Sequence, residues 1–121
     1  AAASPLCAQS TGTPADNLSR YLRELASNPK SLGALLGAGE AALGAGDGNA
    51  ALGFYARADE ISPRNGRVKL GLGRSALMLE NSRDALRYLD QATDLGVAEA
   101  EVAGDRGLAY DLRGDPKRAQ R

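Results

Sequence analysis

Slid along itself by 34 residues, the chain keeps meeting its own pattern. Gly39 falls on Gly73 and Gly107, Ala42 on Ala76 and Tyr110, Gly46 on Glu80 and Gly114, Asp47 on Asn81 and Asp115, and Ala51 on Ala85 and Ala119. The later half of each period matches too: Leu52 with Leu86, Tyr55 with Leu89, Ala58 with Ala92, Ile61 with Leu95. A fixed period of this length means that each period is one supersecondary unit stacked on the next. Within a period the apolar residues recur at three- and four-residue spacings and breakers separate the segments, so each unit reads as two amphipathic helices joined by a short turn. The expected fold is an all-α solenoid of antiparallel helix pairs, with seven helices near residues 15–28, 31–45, 48–61, 65–79, 82–95, 98–113 and 115–121.

The same period disposes of a competing reading. Gly37-Ala-Gly39-Glu-Ala-Ala42 fits the G-x-G-x-x-A pattern of a dinucleotide-binding turn, in which backbone N–H groups at a helix N-terminus hold a pyrophosphate. No β-branched run precedes it, since Ser31 to Leu36 reads SLGALL, and no acidic residue closes a second strand about 20 residues on. Gly71-Leu-Gly73-Arg-Ser-Ala76 repeats the pattern one period later, and two phosphate cradles in 121 residues are implausible. Both stretches are expected in mid-helix, where the N–H groups are already bonded, so no nucleotide is expected there. Glycine at a helix crossing instead allows close approach, at up to about 1 kcal/mol of helix propensity each. With Gly33, Gly37, Gly39, Gly44 and Gly53 in one unit, the first repeat should be soft unless packing compensates.

Gly39, Ala42, Gly46-Asp47, Ala51, Tyr55, Ala58 and Pro63 fall in an order that resembles the tetratricopeptide repeat family. That pattern has a small residue midway along the first helix, a Gly-Asp-like turn, then Ala, an aromatic and Ala along the second helix, and Pro past its end. The resemblance implies that the helix pairs wind into a right-handed superhelix. The second unit departs at Glu80-Asn81, at Leu89 in place of the aromatic, and at Gly96-Val97 in place of Pro; the family's early Trp is replaced by Leu35, Lys69 and Ala103. The expected organisation is a flexible leader over 1–14, a capping helix over 15–29, complete units over 31–63 and 66–97, and an incomplete unit over 98–121. An unfinished last unit points to a piece of a longer repeat protein, with a loose end available for self-association.

Composition narrows the chemistry. Fifteen basic and fifteen acidic residues cancel, so net charge favours neither nucleic acid nor an anionic membrane, and no run reaches the roughly 18 apolar residues of a membrane span. With no histidine and one cysteine, Cys7, the sequence lacks the residues for Ser-His or Cys-His nucleophilic sites, Cys/His zinc motifs and internal disulfides, so neither an enzyme nor a metal or other cofactor is expected. Cys7 follows Ser4-Pro5-Leu6, unlike the small residues before a lipid-anchored cysteine, and reads as an incidental thiol. The leading Ala1 to Ala3 fit a signal remnant or a cloning remnant equally.

The resemblance implies a concave groove lined by the first helices and binding a protein or peptide segment. Carried over by position, its lining comprises Leu36, Glu40 and Leu43, then Arg67, Leu70, Arg74, Leu77 and Met78, then Glu101, Leu108, Asp111 and Leu112. Leu36, Leu70, Leu77 and Leu108 serve equally well as core. Arg67 and Arg74, two turns apart on one helix face, suggest a grip on a carboxylate or acidic segment. The carboxylate clamp of chaperone-binding members is missing, because Leu36, Glu40, Glu101 and Asp105 stand near its places. A non-catalytic interaction scaffold is the expected function. The alternative is the repeat part of an exported bacterial envelope protein, resembling pilus-assembly lipoproteins or fused to a peptidoglycan-binding sporulation-related domain. Twelve Arg to three Lys and the polar leader favour the envelope over the cytoplasm while leaving the compartment open.

Overall fold

A computed structural model describes residues 13–114, which form six helices: α1 Pro14–Ser27, α2 Leu32–Gly44, α3 Gly48–Ile61, α4 Gly66–Met78, α5 Ser82–Asp94 and α6 Glu99–Leu112. The sequence places their ends to within about a residue or two; the seventh expected helix, over 115–121, lies outside the described residues, as do Leu6 and Cys7. Caps explain the sharp starts. The side chains of Thr13, Ser31, Asp47, Asn65 and Asn81 each accept a hydrogen bond from a first-turn backbone N–H, at 2.9–3.3 Å. Only α6 begins without one, on Ala98, and there Glu99 and Glu101 complement the helix dipole instead.

The turn leaving each first helix needs a left-handed residue. Gly46, Glu80 and Gly114, one period apart, have φ of 78°, 60° and 71°. Behind them the chain closes a Schellman turn, in which Asp47 N–H donates to Ala42 O at 2.9 Å and Asn81 N–H to Ala76 O at 2.8 Å. Glu80 carries a side chain where its neighbours have none. Glu80→Gly is therefore expected to stabilise the fold by about 1 kcal/mol in denaturant unfolding, the left-handed penalty outweighing the added chain entropy of glycine. The second helices stop differently. Unit one ends on extended Ser62 before Pro63, whereas Gly96, with φ 103°, turns the chain after α5.

Sequential helices pack pairwise, and the first helices also touch one another, α2 against α4 and α4 against α6. Among the described residues the second helices α1, α3 and α5 make no such mutual contact. The stack is thus tight on the side of the first helices and splayed on the other, which makes the first-helix side the inner face.

What fills the glycine positions departs from the expected backbone approach. A Cβ on Gly71 would lie 2.2 Å from the Tyr55 ring and one on Gly39 2.7 Å from its other edge; one on Gly37 would lie 2.3 Å from Tyr21. One on Gly73 would meet Leu89 at 3.1 Å. Of the first helices, α2 and α4 therefore each carry two notches: one takes the large residue of the preceding second helix, the other that of its own partner. Tyr55 is clasped between Gly39 and Gly71, only 6% exposed. Beside it Leu35, Ala38, Ala42, Ala51, Ala58 and Val68 are fully or almost fully buried, a core of small residues closed by one aromatic wedge. The pattern that mimics a phosphate turn is helix interior shaped around tyrosine.

Candidate functional site

The inner face brings together most of the side chains assigned to a groove. Leu36, Glu40 and Leu43 of α2 meet Arg67, Leu70 and Arg74 of α4 around a cleft of about 240 Å³, floored by Tyr55 and Gly71. Leu43 and Arg74 also border a second cleft of about 270 Å³, completed by Leu77, Met78, Asp105 and Leu108. The two clefts share those residues and form one furrow crossing α2, α4 and α6. Leu70 and Leu77 are core first, 3% and 6% exposed, whereas Met78 and Leu108 present 40% and 49% of their surface to solvent. Glu101 borders a separate recess at the α5–α6 turn, and Asp111 and Leu112 are exposed on α6 about one turn beyond Leu108, lining neither cleft.

Each arginine of the pair holds a carboxylate of α6. Arg67 makes a bidentate pair with Glu101, and Arg74 Nε donates to Asp105 at 3.0 Å, each tying α4 to α6. Hydrogen bonding from Arg67 holds the Glu101 carboxyl below the usual carboxylate range. The signal for the first pair lies in the sequence, since Arg67 and Glu101 stand one 34-residue period apart with opposite charge. The second pair gives no such signal, because Asp105 is offset from Arg74 by 31 residues. The missed Tyr55 has its own signal, a 16-residue offset from a glycine on either side.

Burial, helped by Glu40 and opposed by Arg74, pushes the Tyr55 hydroxyl up to about 12. The sign follows from linkage. Unfolding frees a phenol that ionises near 10, so the stability is complete below pH 10 and is lost as pH rises towards 12. Tyr55→Phe is expected to abolish about 1–2 kcal/mol of that alkaline decline in pH-dependent denaturation, allowing for partial solvent access of the hydroxyl.

Two further ion pairs join first helices to the second helix before them. At the period position of Leu35, which is fully buried, stands Lys69, whose ammonium pairs with Asp59 of α3 at 2.8 Å. At that of Leu72 stands Arg106, which pairs with Asp90 of α5 and with Glu99 at 2.8 Å. Charged residues thus stand where the preceding unit has core leucines, each tied to an aspartate of the second helix before it. Among the described residues no helix is long and apolar enough to cross a membrane, and no group of three or more metal-ligating side chains is assembled.

A family model described as tetratricopeptide repeat matches residues 42–104, more than half of the 121-residue chain. A search of curated proteins returns no match. The matched stretch runs from the end of α2 through α3, α4 and α5 into α6, the same helices whose notches and wedges repeat every 34 residues. The chain belongs to the tetratricopeptide repeat family.

Proposed function

We propose that the furrow across α2, α4 and α6 is a docking groove for a segment of another protein, and that the chain acts as a non-catalytic scaffold. Repeats of this family generally mediate protein–protein interaction. The observation that carries the reading is the exposure of Met78 and Leu108 on opposite sides of a cleft whose floor includes buried Leu77. Large apolar side chains left in water at a concave surface gain about 1–3 kcal/mol each when a partner covers them. A helix or extended strand laid across the first helices covers both at once. The furrow gives such a segment an apolar seat rather than a reacting group.

A photo-crosslinking residue placed at Leu108, and separately at exposed Arg83 on α5, tests the reading in cells of the source organism. Covalent protein adducts from position 108, absent from position 83 and lost in Met78→Glu, are expected. Adducts from position 83 with none from position 108 would place the binding surface on the second helices instead.

A further inference from the structure

The charge of this furrow differs from that of the chain as a whole. The chain is neutral, but Glu40 and Asp105 line the furrow, and Glu101 and Asp111 stand beside it on α6, against only Arg67 and Arg74 in its lining. Both arginines are already neutralised across the α4–α6 contact, Arg67 by Glu101 and Arg74 by Asp105. What remains is Glu40 on α2, in the lining of the furrow, and Asp111 on α6, about one turn beyond its Leu108 border, both exposed and neither in an ion pair among the described residues. Between them lie Leu43, Leu77, Met78 and Leu108.

We infer that the groove selects a protein segment with an apolar centre and a basic residue on each side, one meeting Glu40 and the other Asp111. The inference rests on the docking reading above and adds the chemistry of the partner. An acidic segment fares worse: Arg67 and Arg74 already have their charge compensated by carboxylates of α6, while Glu40 and Asp111 repel it uncompensated. A basic segment displaces nothing. It leaves the α4–α6 ties intact and finds opposite charge at both ends, which sets its register across the three first helices.

The test selects ligands from a displayed library of random peptides on the whole chain, then measures the recovered peptides against Glu40→Lys, Asp111→Lys and Leu108→Glu. All three positions are exposed, and circular dichroism checks that each variant keeps its helices. The expected peptides carry Lys or Arg on both sides of an apolar core, weaken roughly three- to tenfold with each charge reversal, and weaken again as salt rises. Peptides abolished by Leu108→Glu but indifferent to both reversals, or enriched in Asp and Glu, overturn the charge assignment and leave the groove standing. Recovery of no ligand, or only of ligands indifferent to Leu108→Glu, overturns the groove itself and the inference with it.

Discussion

Gly71→Ala is expected to cost about 2–3 kcal/mol of folding stability, while the same change at Gly53 is expected to gain about 0.5–1 kcal/mol. The two glycines are both in helix interiors and both replaceable as far as backbone geometry goes. They differ in what a methyl group would meet. At Gly53 there is nothing within 4 Å, so only the propensity gain remains. At Gly71 the Tyr55 ring stands 2.2 Å away, and that ring has no retreat because Gly39 of α2 presses its far edge. Overpacking a buried aromatic between two helices forces the helices apart or the ring off its rotamer. The second unit shows the remedy. Its wedge is the smaller Leu89, and the position one period after Gly71 there accommodates Asp105. In a Tyr55→Leu background the added cost of Gly71→Ala should therefore fall below about 1 kcal/mol in a double-mutant cycle. An unchanged cost in that background would show that the ring is not the obstacle.

Leu89→Ala is expected to remove about 2–5 kcal/mol, with the damage concentrated at one end of the stack. Leu89 is fully buried, fits the notch at Gly73, and shares a small cluster with Leu70, Ala92 and Val102. Val102 is one of two buried residues on α6, so this cluster supplies much of what holds that helix. In a stack where each unit touches only its neighbours, the loss should stay near its source. Native-state hydrogen exchange is expected to show the amides of α6 opening far more readily, with those of α2 changed little. Equal acceleration in α2 and α6 would mean that the units unfold as one block.

Much of this fold is legible in the residues because its order is one-dimensional. A 34-residue offset aligns the capping Asp47 with Asn81 and the left-handed Gly46 with Glu80 and Gly114, so the helix boundaries follow from local chemistry alone. The notches were half-legible: glycine at 37, 39, 71 and 73 signals close approach, but that an aromatic ring rather than a backbone does the approaching depends on helix phase across units. Of the groove, the apolar members are legible as a face, yet the division of labour among them is not. Leu70 and Leu77 face the core and Met78 and Leu108 face water, a difference of about a hundred degrees of helix rotation set by how α4 and α6 lean on each other. The arginines show the limit most clearly. Read on one helix, Arg67 and Arg74 form a cationic pair; read across the period, each is half of an ion pair with α6.

The repeated G-x-G pattern is a pair of notches for the wedge residues of a helical stack. Nuclear Overhauser spectroscopy on the intact chain tests it most directly. The Tyr55 ring protons should show strong cross-peaks to the Hα protons of both Gly39 and Gly71, and the Gly71 amide should not shift when ATP or NAD is added. Absence of both cross-peaks, together with a Gly71 amide that moves with nucleotide, would contradict the account and restore the phosphate-turn reading.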